Sequence, residues 1–178
     1  MEFQDPEHNR TVAPEHLCRA STLKYFAWLE PIIERGGKFL LVRENQPKHP
    51  DHGKWNQPAG WIDVEENPIA AVKREAREET GYEFTPTHLL SVSSLVRKDQ
   101  TKHFGAMPHA LKLIFIGSIS ADAGEIEDDI SETRWFTPEE IDTMDVKTLR
   151  DTDIKRLVRN YLAGVRYPIE ILHHTVAE

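Results

Sequence analysis

The chain has 178 residues, of which 39 % are hydrophobic and 29 % charged, and its 22 basic and 30 acidic side chains leave a formal net charge of −8. That length suits one globular domain with a sizeable core, and the negative balance argues against a nucleic-acid polymer or an anionic membrane as partner. No apolar run approaches the roughly eighteen residues of a membrane span, the opening MEFQDPEHNR does not read as a signal peptide, and the single Cys18 allows no intrachain disulfide, so a cytoplasmic protein is expected.

Residues 1–22 are polar and lack sustained periodicity, which reads as an N-terminal tail ahead of a domain over 23–178. Leu23 to Ile33 and Lys38 to Val42 are rich in β-formers and flank Arg35-Gly36-Gly37, a pattern that predicts a hairpin. Glu44 to Lys54, ENQPKHPDHGK, predicts a loop that could reach a substrate through Lys48, His49, His52 or Lys54. His49 and His52 have no further His or Cys in register for zinc. Trp55 to Gly60, WNQPAG, then leads into an acid-rich segment.

Asn67 is a natural N-cap, Pro68 suits the first helical position and Gly81 suits a helix terminus, so Pro68 to Thr80 is predicted as a helix. At about 100° per residue, Ile69, Val72 and Ala76 line one face for burial. Glu75, Glu78 and Glu79 share another. Like charges at this spacing repel by a few tenths of a kcal/mol, so the cluster calls for a cation. Hard carboxylate oxygens suit Mg²⁺ or Mn²⁺ better than zinc. The plainer alternative is a solvated acidic face paired with Arg74 and Arg77.

Beyond the helix, His88 to Val96 and Ala110 to Ile119 read as strands separated by a polar segment, Arg97 to His109. There Phe104 and Met107 are candidates either for ring contacts with a substrate or for packing. Asp122 to Glu132 is crowded with acids, Thr133 to Phe136 reads as a strand, and Thr137-Pro138-Glu139-Glu140 spells a helix start. Ile154, Leu157, Val158, Tyr161 and Leu162 recur at helical spacing. The pattern as a whole is α+β.

Taken with its spacing, the acid-rich segment is Gly60, five residues, Glu66, seven residues, Arg74-Glu75-Ala76, one residue, Glu78-Glu79, one residue, Gly81-Tyr82. It matches the fixed positions of the Nudix box, and the chain resembles the Nudix hydrolases over roughly residues 23–172. The resemblance implies an α/β/α sandwich with a mixed sheet and hydrolysis of a phosphoanhydride in a small phosphorylated metabolite or nucleotide. It implies Mg²⁺, with Mn²⁺ as the alternative, held by Glu75, Glu78, Glu79 and the backbone carbonyl of Ala59. Arg74 would orient Glu75, and Glu66 would secure the loop to the helix. A further carboxylate is expected among Glu127, Asp128 and Asp129, with Asp129 the first choice. Lys54, Trp55, Asn56 and Phe104 are the candidate substrate contacts.

Two fragments narrow the resemblance. WNQPAG before the box and GVRYPIE, Gly164 to Glu170, are similar to the NudJ-type phosphatases of this family. Those enzymes remove the terminal phosphate of nucleoside di- and triphosphates and act on thiamine-related pyrophosphates. The tail, the loop at 44–54 and the segment before Ala110 are longer here, and they surround the site. The alternatives are a housecleaning or sugar-nucleotide pyrophosphatase that cuts an internal anhydride, and a ligand-binding regulator without catalysis. A degenerate regulator is expected to lose box carboxylates, whereas Glu66, Glu75, Glu78 and Glu79 all remain. Homodimers are frequent in the family, so a second copy of the chain is a further candidate partner.

Overall fold

Alternate apolar side chains along each strand decide which layer they join. In the computed structural model, which describes residues 3–5, 10–12, 27–100 and 109–177, Phe39 and Leu41 pack in one core with Leu157 and Val158. Leu40, between them, packs in another with Val72 and Ala76. Period-two alternation therefore covers the β-layer with helices on both faces. This is the α+β sandwich with a mixed sheet that the Nudix resemblance implies.

A short antiparallel pair, β1 (Phe3–Asp5) and β2 (Arg10–Val12), lies within the stretch read as a tail. The central strands are β3 (Ala27–Ile32), β4 (Glu34–Arg35), β5 (Lys38–Glu44), β6 (Trp55–Asn56) and β7 (Gly60–Trp61). Helix α1 (Pro68–Thr80) precedes β8 (Phe84–Val96), β9 (His109–Ile119) and β10 (Ile130–Phe136). The chain closes with α2 (Pro138–Thr143), α3 (Ile154–Leu162) and β11 (Tyr167–Pro168). One sheet runs β11-β8-β9-β3-β7, with β3 parallel to β9, and the other runs β10-β5-β4 with β6 also on β5. Among the described residues no helix is long and apolar enough to cross a membrane.

The predicted hairpin is only partly formed. The turn at Gly36-Gly37 joins β4 to β5 over two residue pairs, and Leu40 N–H donates to Ile33 C=O at 3.0 Å. β3 itself lies in the other sheet, against β9. Both strands are rich in buried apolar residues, so local composition favours pairing them, yet at Ile33 the chain crosses from one sheet to the other.

The loop after β5 is tied down by charge. Fully buried Asp51 accepts hydrogen bonds from Arg97 Nη2 at 3.1 Å, Lys54 Nζ at 3.0 Å and Gln100 Nε2. Arg97 Nη1 reaches on to Asp151 at 2.8 Å. The 44–54 loop, the segment after β8 and the approach to α3 therefore meet at one carboxylate. Burial alone would raise the Asp51 pKa, but the hydrogen bonds and charge of Arg97, then Lys54 and Arg150, outweigh it and hold the pKa below its ordinary value. A depressed carboxylate stabilises the fold above its unfolded pKa, near 3.8, and that contribution is lost as pH falls through the lower folded value. Asp51→Asn is therefore expected to cost about 3–5 kcal/mol at neutral pH. Urea denaturation at stepped pH should show the gap between the two proteins constant down to the ordinary carboxylate range and closing below it; a gap that persists in acid would remove the charge from the account.

Candidate active site

Helix α1 starts and stops as its sequence demands. Asn67 Oδ1 accepts from Ile69 N–H at 2.8 Å, Pro68 follows, and Gly81 takes the left-handed conformation at φ 72°. Gly81 serves a second purpose: a Cβ there would overlap the backbone of Gly124. Gly124 N–H donates to Gly81 C=O at 2.7 Å and Glu127 N–H to Glu78 C=O at 2.9 Å, which straps the acidic loop to the helix end.

Arg74 sits among the carboxylates and uses all five of its donors. Its Nε and Nη2 hold the two oxygens of Glu66 at 2.9 Å each, and Nη2 also donates to Trp61 C=O at 3.0 Å. Its Nη1 donates to Glu75 Oε1 at 2.6 Å and Glu78 Oε2 at 3.0 Å. These bonds hold the Glu66 carboxyl below the usual range. Glu75 goes the other way, pushed by burial up to about 7 against the pull of Arg74. Gly60 explains how Glu75 fits: a Cβ at position 60 would overlap its carboxylate.

Glu79 Oε2 accepts from Ala59 N–H at 2.8 Å. Its carboxyl lies well above the ordinary range, first through burial and then through the charge of Glu44, with Glu75 and Asp129 adding to it. The charge of Asp129 acts on Glu79, and its buried Oδ1 has no hydrogen-bond partner. Its backbone carbonyl accepts from Asn45 N–H at 2.7 Å, so the end of β5 fixes the end of the acidic loop.

The structure thus gathers Arg74, Glu75, Glu78, Glu79, Ala59 and Asp129 around the loop and helix of the box. It directs two of the proposed substrate contacts elsewhere: Lys54 ends on Asp51, and the Trp55 ring packs edge-on against Phe136 at 4.8 Å. Both belong to segments whose charge and apolar surface have partners in the interior. Asn56, three residues before Ala59, is buried with Oδ1 unpartnered, while Phe104 and Met107 lie outside the described residues. Sequence reasoning missed Glu44 and Arg150, joined at 2.6 Å across 106 positions. Neither has a local spacing signal; the only hint is a glutamate two residues past the apolar run of β5.

The donor set fits a hard divalent cation. Among the described residues no three His, Cys, Asp or Glu side chains already converge as a ready metal site. Arg74 takes one oxygen of Glu75 and one of Glu78, and Ala59 N–H takes one of Glu79, which leaves a second oxygen on each. With unpartnered Asp129 Oδ1 beside them, these are oxygen donors of the kind Mg²⁺ and Mn²⁺ take.

Comparison with known proteins finds relatives of the chain. The NUDIX domain model matches residues 27–160. The phosphatase NudJ of Escherichia coli strain K12 is 32 % identical over 143 residues, which span 79 % of this chain and 86 % of that protein. A NUDIX hydrolase from Nitrosomonas europaea matches in structure with a TM-score of 0.73 and 28 % identity, covering 84 % of this chain and 97 % of that one. The MutT protein from Methanosarcina mazei has a TM-score of 0.63 at 22 % identity, over 78 % of this chain and 94 % of its own, and shares the fold.

The close approach of Gly60 to Glu75 generates a test. Gly60→Ala should displace the Glu75 carboxylate and weaken Mn²⁺ binding by on the order of tenfold, read by calorimetric titration, with the circular dichroism spectrum retained. Unchanged binding would mean that the position has room for a methyl group.

Proposed function

This chain belongs to the Nudix hydrolase family, which acts on phosphoanhydrides, and from that premise we propose that it removes the terminal phosphate of small nucleoside di- or triphosphates or of thiamine-related pyrophosphates, releasing orthophosphate. The observation that carries the reading is the set of Glu75, Glu78 and Glu79, each with an oxygen left over, together with the unpartnered Oδ1 of Asp129, whose charge acts on Glu79. The choice of the terminal phosphate is supported by likeness to phosphatase NudJ across most of both chains. Mg²⁺ is the expected cofactor, with Mn²⁺ able to replace it.

Hydrolysis of an anhydride needs a positioned water, an acceptor for its proton, and positive charge on the phosphoryl oxygens. When held by Glu75, Glu78, Glu79 and the carbonyl of Ala59, a divalent cation supplies that charge and makes the attacking water more acidic. Arg74 turns Glu75 and Glu78 inward by charge-assisted hydrogen bonds. Glu66 holds Arg74 in turn, so that the helix and the loop before it move as one piece. Asp129 accepts the proton from water at Oδ1. Asn56, three residues before Ala59 and with its carbonyl oxygen unpartnered, orients the substrate.

Glu79→Gln keeps the shape of the side chain and removes its charge. The expected loss in kcat is on the order of a hundredfold or more, with the fold intact. An enzyme with ordinary turnover and unaltered Mg²⁺ dependence would sink the assignment. Asp122→Asn and Glu125→Gln, on exposed parts of the acidic loop, should stay within about threefold of the parent.

The bond cut is read from the first products. With GTP or CTP, early time points resolved by ion-exchange chromatography should contain the nucleoside diphosphate and orthophosphate. Pyrophosphate together with the monophosphate as first products would mean that an internal anhydride is cut, which makes the chain a pyrophosphatase while the box carboxylates keep their roles.

A further inference from the structure

Glu44 is the last residue of β5, and the pairing of β5 with β10 sets it opposite Ile130, next to Asp129. It is 6 % exposed. Its backbone is fixed on both sides, with N–H donating to Lys54 C=O at 3.0 Å and C=O accepting from Gly53 N–H at 2.8 Å. Its side chain accepts from Arg150 Nη1 at 2.6 Å, leaving a second carboxylate oxygen. Arg150 is itself held from three directions. Its Nε lies 3.4 Å from Asp51 Oδ2, its guanidinium stands 4.7 Å from the centroid of Trp28, and its backbone N–H donates to Trp55 C=O at 2.9 Å. Trp55 N–H returns a bond to Thr148 C=O at 2.7 Å, so Thr148 to Arg150 lie against the segment that leads into the box.

A carboxylate this buried, fixed by its backbone beside Asp129, has more structure around it than a surface ion pair needs. We propose that Glu44 is a further carboxylate of the cation site and that Arg150 is its positioning residue. The inference rests on the reading of the box as a divalent-cation site. Consistent with it, the charge of Glu44 is the strongest electrostatic influence on Glu79 after burial. Arg150 would act on the cation through Glu44 alone, while its contact with Asp51 belongs to the stability of the loop.

Two mechanisms predict opposite signs for one variant. Arg150 places a positive charge near an acidic site, so through-space electrostatics alone makes Arg150→Gln bind Mn²⁺ more tightly than the parent. Positioning makes it bind more weakly, because Glu44 loses the partner that aims it. The measurement is calorimetric titration of Mn²⁺ into metal-free full-length protein without substrate, for the parent and for Glu44→Gln, Arg150→Gln, Arg150→Lys and Glu79→Gln.

Glu44→Gln and Arg150→Gln should each weaken binding by roughly 10–100-fold, and Arg150→Lys should recover part of that loss. In the double variant Glu44→Gln/Arg150→Gln the affinity should match that of Glu44→Gln, although its thermal midpoint falls further. If Arg150→Gln fails to fold, Glu44→Gln and Arg150→Lys carry the test. Parent-like affinity in Glu44→Gln beside a loss in Glu79→Gln overturns this inference and leaves the proposed function standing. Tighter binding in Arg150→Gln overturns the positioning role, and no change in Glu79→Gln overturns the cation-site reading itself.

Discussion

Carboxylates packed on one face of a helix coexist only where positive charge stands among them, and in this fold Arg74 provides it. Its guanidinium reaches Glu66, Glu75 and Glu78 and one backbone carbonyl with five donors in a fixed plane. A lysine could supply the charge but not the geometry. One guanidinium also leaves three carboxylates short of neutral. In the proposed function, the residual negative charge, with Glu79 and Asp129 added, is what would attract a divalent cation. The loop before the helix is shaped around the same need, since Gly60 makes room for Glu75 and Ala59 N–H takes up Glu79.

The same arrangement recurs deeper in the molecule. Lys112, fully buried on β9, stands 2.5 Å from Glu30 and within salt-bridge distance of Asp151 and Asp153. The acids around Asp51 and Arg97 join it through Asp151. Positive charges in this interior are each shared among several acids, and a buried pair of this kind stabilises only when its remaining hydrogen bonds are met. The value of such a network lies in fixing which loops meet. Here it brings the 44–54 loop, the end of β8 and the start of α3 to a single point.

Elements whose signals are local were legible in the sequence. Asn67, Pro68 and Gly81 bound α1 at the residues observed, and the Thr137 and Glu140 side chains make the reciprocal cap that their spacing suggests. The box glutamates and Arg74 were legible because a helix turns spacing into proximity. Contacts between distant segments were not. Nothing near Glu44 names Arg150 as its partner, and nothing near Asp51 names Arg97. Lys54 and Trp55 were read as substrate contacts from their place before the box, because their interior partners, Asp51 and Phe136, cannot be inferred from adjacency alone. The hairpin of β3 with β5 failed for a related reason: both strands are rich in apolar residues, and only the tertiary arrangement assigns them to different sheets.

That crossing has a consequence for biosynthesis. β3 pairs in parallel with β9 from Ala27 opposite Leu111 to Ile32 opposite Ile116, so its main partner is made long after it. At ribosomal speeds of roughly 5–20 residues per second, several seconds or more separate the two strands on the nascent chain. The β8 and β9 strands can zip together as soon as both have emerged, because their antiparallel register needs only the intervening loop. β3 has β7 as an early partner at Trp28 and Leu29, but its other edge must wait and then insert beside a hairpin already formed. An early strand of the domain is thus secured on its second edge only once β9 has been made, and for that interval its apolar side chains are open to aggregation.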